Sequence, residues 1–295
     1  MWVQLRRSAR THVASVKGVA WTLFLFTYTD YKTIFFPVTA FACVAAPVQS
    51  YTRLLHGVIW IWLNLLQCNS SNQYKSAEED ALNRPWRPLP SGRISRSQAS
   101  KLRWSLVPIC IGFSACYGWD VVLANAFLTL TTIMYDELGF AGHWLGKNFC
   151  NIFGYVTFEI GATKIIGTST ALDYTAMISI LYSALVIFTT IQTQDFPDVI
   201  GDSALGRVTI PIKYPEASRK FTFVAMIAWS VFFSSTWALG TLSSLIFCVL
   251  GAYVGSRIYL LRTVQDDKRS YVIYNVWLLI AHLLPAQTRW NVLPF

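Results

Sequence analysis

The sequence predicts an all-α integral membrane protein, a bundle of about nine transmembrane helices around a central cavity. Three observations lead there. Hydrophobic residues make up 54% of the 295-residue chain against 13% charged, with a mean hydropathy of +0.42, which lies outside the soluble globular class. Apolar runs recur that reach or approach the roughly 20 residues a bilayer crossing needs. Lys and Arg crowd alternate loops instead of spreading evenly.

In chain order, the first span covers 33–48; it is short and borrows length from 18–30, a stretch that alternatively lies along the interface. The others cover 54–70, 98–117, 119–137, 148–166, 171–193, 218–238, 241–262 and 271–288. Basic residues orient them. Arg6, Arg7, Arg10 and Lys17 precede the first span, and Arg84, Arg87, Arg93, Arg96, Lys101 and Arg103 follow the second. Arg207, Lys213, Arg219 and Lys220 follow the sixth, and Lys268 and Arg269 the eighth, with Arg53 the main exception on the other side. By the positive-inside rule the N-terminus and the even loops face the cytosol. The chain therefore reads as a single domain over 1–295, with a basic or interfacial N-terminal segment at 1–30 and cytosolic acid-motif loops at 69–97 and 195–217.

The net charge of +9 is then chiefly a topology signal, with some attraction for anionic lipid or a diphosphate. No basic soluble domain exists to hold nucleic acid. The N-terminus lacks the compact apolar core and small-residue site of a cleavable signal. Cys43, Cys68, Cys110, Cys116, Cys150 and Cys248 are scattered without metal-type spacing and read as small core residues.

Against this background two acidic clusters stand out, Glu78-Glu79-Asp80 within 72–80 and Asp195, Asp198 and Asp202 within 195–202. Together they hold six of the 15 Asp and Glu residues. Both fall on the cytosolic face, and each is followed by a basic, proline-containing stretch: Arg84-Pro-Trp-Arg87-Pro-Leu-Pro-Ser-Gly92 after the first, Arg207-Val-Thr-Ile-Pro211 after the second. Four spans separate them, which suggests an ancient duplication. On a helix, Asp195, Asp198 and Asp202 share one face at i, i+3 and i+7, while Asn72, Ser76 and Asp80 form a stripe at i, i+4 and i+8. Like charges on one face repel unless a cation sits there. Oxygen ligands without His or Cys select Mg²⁺ or a similar ion, which bridges to substrate phosphate. Lys75, Arg84, Arg87, Arg207 and Lys213 supply the remaining neutralisation. Glu78, Glu216, Asp266 and Asp267 read as ordinary solvated partners at membrane edges.

Two acid-rich motifs after the second and sixth of nine spans, with Arg87-Pro-Leu-Pro-Ser-Gly92 after the first, resemble the UbiA superfamily of intramembrane prenyltransferases. The typical first motif reads Asn-Asp-x-x-Asp-x-x-x-Asp; here Asn72, Gln73, Ser76 and Asp80 occupy those places, so two Asp are missing. Glu79-Asp80 and Asn83, followed by Arg-Pro-Trp-Arg-Pro, look like the fungal UbiA-type branch that includes terpene cyclases. The resemblance implies Mg²⁺ and an isoprenyl diphosphate. Asn72, Glu79, Asp80 and Asn83 would bind one metal-diphosphate half-site, Asp195, Asp198 and Asp202 the other, and Arg87 would contact phosphate. The acids expected to be essential for turnover are Asp80, Asp195, Asp198 and Asp202.

Two reactions fit: cyclisation of farnesyl or geranylgeranyl diphosphate, favoured by the branch-like first motif, and prenyl transfer to an aromatic or lipid-like acceptor. A transporter would place its acids near the midplane, not at one face. Asn125, Asp136, Glu137, Glu159 and Asp173 lie in or beside spans, where ionisable groups face the interior; Asp136 and Glu137 read as interface-edge residues. His56 and His282 read as hydrogen-bonded bundle residues. No terminal base is identified, and released diphosphate can serve. An endoplasmic reticulum membrane follows from the fungal-type resemblance.

Overall fold

Helix caps written into the sequence set where the columns of this fold begin. The computed structural model describes residues 16–169, 171–204 and 206–295; Arg6, Arg7 and Arg10 lie outside them. Ser50 accepts the Arg53 amide at 3.2 Å and starts α3 (Tyr51–Lys75). A reciprocal capping box between Ser95 and Gln98 starts α5 (Arg96–Ala115), and His143 Nδ1 accepts two amides at the head of α7 (Trp144–Ile166). Asp173 caps α8 (Tyr174–Thr190) and Thr263 caps α13 (Val264–Leu283). Each cap satisfies an amide that has no carbonyl one turn earlier.

The remaining long helices are α6 (Trp119–Asp136), α11 (Pro215–Thr236) and α12 (Thr241–Leu260); short ones are α4 (Ala77–Asn83), α9 (Val199–Ala204), α10 (Ile210–Lys213) and α14 (Pro285–Trp290). The first column is continuous but irregular. It runs from α1 (16–27) through a 3₁₀ turn and a π turn, Tyr31–Phe35, into α2 (Phe36–Ala45). Pro37 explains the break, since it cannot donate to the carbonyl one turn back. That carbonyl, Thr33 O, accepts instead from the Tyr155 hydroxyl at 2.9 Å. The 18–30 stretch is therefore part of the bundle. Phe26 is buried against Leu66 and Leu106, and Gln73 donates to Phe26 O at 2.8 Å.

Among the described residues this makes nine helical columns, at the nine positions read from hydropathy. Two helical stretches, Tyr174–Ala204 and Thr241–Leu260, are by themselves long and apolar enough to cross a membrane. The others carry polar residues that dilute the apolar signal, and those residues point inward: Asn64, Gln67, Ser114, Asn125, Glu159 and Ser230 are buried. Large apolar side chains such as Phe127, Leu181, Phe188, Val231, Leu245 and Ile246 face outward. This reverses the distribution of a water-soluble protein and suits lipid as solvent.

Two packed cores build the halves. One gathers Trp60, Ile61, Phe158, Ile165 and Ile166 between α2, α3, α6 and α7. The other gathers Ile187, Met226, Val254, Tyr274 and Trp277 between α8, α11, α12 and α13. The first half ends in the 72–80 cluster and the second in the 195–202 cluster. A buried chain joins them: Ser183 on α8 donates to Glu159 on α7 at 2.5 Å and lies 3.0 Å from His282 on α13. His282 and His56, which lies 2.6 Å from the Tyr117 hydroxyl, are thus hydrogen-bonded bundle residues, as the sequence suggests. All six cysteines are free.

With little hydrophobic drive between helices in lipid, close approach depends on small residues. A Cβ on Gly161 of α7 would run into the Trp60 ring of α3, and Trp60 is fully buried. Gly161→Ala is expected to cost about 1–3 kcal/mol through overpacking. A lowered unfolding midpoint in detergent tests this; an unchanged midpoint would contradict the close α3–α7 contact.

Candidate active site

The two clusters are not continuous helical faces, because the chain breaks inside each. Ser76 terminates α3 with φ −96° and ψ 18° before α4 restarts, so Asn72 and Asp80 do not share one straight stripe. The second cluster begins in 3₁₀ turns over Ile191–Gln194 and Phe196–Asp198, with Pro197 at the break, and only then enters α9. Both corrections have the same cause: 3₁₀ and cap geometries turn side chains by other angles than an α-helix does.

The loops then bring the clusters together at one end of the bundle. Gly206 adopts φ +67°, a left-handed turn that favours glycine, and the chain folds back so that the Arg207 amide donates to Asp202 O at 2.9 Å. Val208 donates to Gly142 O at 3.0 Å, which pins this loop beside the start of α7.

There Arg207 joins the two clusters. Its guanidinium donates to Glu79 Oε2 at 2.6 Å and to Asp202 Oδ1 at 3.3 Å. Burial alone would lower the Arg207 pKa; Glu79 and Asp202 beside it raise it above the ordinary arginine value. Lys147, from α7, donates to Asp195 Oδ1 at 2.6 Å and lies 3.7 Å from Asp202 Oδ2. Asp195 and Asp202 are buried, at 1% and 5% exposure, so Lys147 holds two charges that water cannot. The exposed Arg84 of the first cluster acts electrostatically on Asp198 of the second. Each cluster thus lends a cation to the other.

Asp80 and Arg87 form a buried pair within the first cluster, one guanidinium nitrogen lying 2.7 and 2.9 Å from the two carboxylate oxygens. Asn72 donates to Asp136 Oδ1 at 3.1 Å. Asp136 is thereby an interior partner of the first motif, not merely a residue at the membrane edge. Lys75 and Arg103 both pair with Glu137. Lys213 is stacked over the Trp144 ring at 4.2 Å, and Asn83 is exposed. Gln73 and Ser76, the departures from the typical motif, have local roles. Gln73 secures α1, and Ser76 donates to Asn72 O at 2.9 Å.

Among the described residues, no three His, Cys, Asp or Glu side chains converge closely enough to hold a metal ion. Single hard oxygens are nevertheless left open beside the cations. Asp195 Oδ2, Asp202 Oδ2, Asp136 Oδ2 and Asn148 Oδ1 are buried without a hydrogen-bond partner, a costly state for such groups. Their donor set is entirely hard oxygen and fits Mg²⁺. Lys147 and Asp136 are the site residues that sequence reasoning passed over or misplaced. Lys147 had a signal, since it falls on the cytosolic face by the same loop count as the acids.

A family model described as the UbiA prenyltransferase family matches residues 34–279. The chain is 28% identical over 275 residues to fumagillin beta-trans-bergamotene synthase af520 of Aspergillus fumigatus, covering 91% of this chain and 92% of that protein. It is likewise 28% identical over 307 residues to somaliensene A/B synthase of Streptomyces somaliensis, covering 95% and 96%. Among solved structures, a digeranylgeranylglyceryl phosphate synthase superimposes with a TM-score of 0.70 at 17% identity, over 92% of this chain and 99% of that one. An Archaeoglobus fulgidus UbiA homologue bound to GPP and Mg²⁺ superimposes with a TM-score of 0.57 at 15% identity, over 92% and 97%. These likenesses to solved structures establish the fold.

Lys147→Met should strand Asp195, while Asp202 keeps Arg207; breaking a buried ion pair from one side costs about 3–5 kcal/mol. The metal-free unfolding midpoint should fall, and adding Asp195→Asn should recover part of the loss. An unchanged midpoint in the single variant, or no recovery in the double, would contradict this pairing.

Proposed function

Because the chain belongs to the UbiA prenyltransferase family, a membrane-embedded family, we propose that it is a Mg²⁺-dependent terpene cyclase acting on farnesyl or geranylgeranyl diphosphate. One observation carries the reading: the acidic clusters of the two halves meet through exchanged cations, leaving buried carboxylate oxygens unpartnered. Such a cradle suits a ligand that carries both signs, metal for the carboxylates and phosphate for the cations. The two terpene synthases, matched over more than nine-tenths of their length, support cyclisation over transfer.

In this reading Asn72, Glu79, Asp80 and Asn83 face one half of the metal-diphosphate, and Asp195, Asp198 and Asp202 the other. Bound Mg²⁺ supplies Lewis-acid stabilisation of the departing diphosphate. Arg84, Arg87, Lys147 and Arg207 exchange their carboxylates for phosphate oxygens, with Lys75 and Lys213 at the flanks. The C–O bond breaks and its electron pair leaves on diphosphate oxygen. The isoprenyl chain lies between apolar helices that keep water from the allylic cation. The electron pair of a distal double bond then closes a ring, and a proton passed from a neighbouring carbon to the released diphosphate restores an alkene. The loop charges support a cytosolic side for both motifs, and the fungal-type resemblance supports an endoplasmic reticulum membrane.

Membranes containing the protein, given Mg²⁺ and farnesyl or geranylgeranyl diphosphate without acceptor, should yield a cyclic hydrocarbon by gas chromatography–mass spectrometry. Chelation should abolish it, and Asp198→Ala should lower its rate at least about a hundredfold, the scale of losing one charge-stabilising group. Diphosphate release only when an aromatic acceptor is added would make the protein a transferase. No diphosphate release under either condition would overturn both.

A further inference from the structure

The end of the bundle opposite the acidic clusters contains a cation the proposed chemistry does not use. Arg53 lies in the first turn of α3 and Lys75 in its last, about 33 Å apart along the axis at 1.5 Å per residue. That distance is close to the thickness of a bilayer's hydrocarbon core, so Arg53 sits at the headgroup level of the far leaflet. Other cations at this end have carboxylate partners: Lys164 pairs with Asp120 at 2.8 Å, and Arg289 with Asp173 at 2.7 Å. Among the described residues none pairs with Arg53. It is also the exception to the charge asymmetry of the loops, so topology does not account for it.

Arg53 borders a cavity of about 440 Å³ lined by Gln49, Ser50, Thr52, His56, Cys116 and Tyr117, with no acidic side chain among them. Its guanidinium lies over the Tyr117 ring, 5.0 Å from the centroid. Stacking occupies the flat face of a guanidinium and leaves its N–H edge for an anion. The Tyr117 hydroxyl sits 2.6 Å from His56 Nδ1; when the hydroxyl donates, the imidazole proton resides on Nε2, a further donor. The Thr52 hydroxyl is a third. The Gln49 amide, which donates to Ile166 O at 3.0 Å, secures the rim.

We propose that this cavity binds a phosphate group, that of an anionic phospholipid in the leaflet facing it. Arg53, His56 and Thr52 line one cavity without a competing carboxylate, and charge-assisted contacts to a guanidinium are the strong ones. The proposal rests on the membrane placement and is independent of whether the protein cyclises or transfers.

Native mass spectrometry of the detergent-solubilised protein tests it, with dihexanoyl phosphatidic acid, dihexanoyl phosphatidylcholine and inorganic phosphate as probes. Wild type should retain phosphatidic acid in preference to phosphatidylcholine. Arg53→Ala should weaken that binding at least about tenfold, the scale of one charge-assisted hydrogen bond. Arg53→Lys should keep most of the affinity, and Arg53→Gln, which keeps the length of the side chain, should lose as much as Arg53→Ala. Failure of excess inorganic phosphate to displace the lipid identifies the headgroup as the ligand, whereas full displacement would overturn the lipid assignment in favour of free phosphate. Equal retention of phosphatidic acid by wild type and both neutral variants would overturn the site itself.

Discussion

Charge inside a membrane protein must be answered by charge, because neither lipid nor packed side chains replace lost water. The Lys147–Asp195 and Arg207–Glu79 pairs, at 2.6 Å each, answer it across the seam between the two halves of the bundle. Much of the arrangement at that end follows. The break at Pro197, the left-handed turn at Gly206 and the bond from Val208 to Gly142 each bring one member of these pairs within reach. Replacing Lys147 would leave the buried Asp195 uncompensated, which costs far more than a surface pair contributes.

The same constraint accounts for the chemistry proposed. The carboxylates are held by cations, yet one buried oxygen each of Asp195 and Asp202 accepts no hydrogen bond. A metal-bound diphosphate satisfies both sets at once, which neither a free metal ion nor a free phosphate does.

Composition made the columns legible. The expected 119–137 and 241–262 spans correspond to α6 at Trp119–Asp136 and α12 at Thr241–Leu260, since lipid selects apolar length directly. Legibility failed where polar residues are helical. α13 begins at Val264, ahead of the expected 271, because Thr263 caps a polar first turn. The acids of the site were legible for the same reason in reverse, as carboxylates concentrated in an apolar chain. Their partners were not. Lys147 stands alone at a span end, where a lysine also reads as topology. The contact of Asn72 with Asp136 depends on how α3 and α6 lie against each other, which no local pattern encodes. Pro197 did carry a signal against one continuous helix.

In the proposed reaction the carboxylates and cations now paired with each other separate to share a metal-diphosphate. Electron cryo-microscopy of the protein with Mg²⁺ and a non-ionising thiolodiphosphate analogue tests it most directly. The account predicts the diphosphate between the two clusters, with Lys147 and Arg207 moved from carboxylate to phosphate oxygens and the metal on the acids. An analogue bound elsewhere, or bound here with the Lys147–Asp195 and Arg207–Glu79 pairs intact, would contradict it.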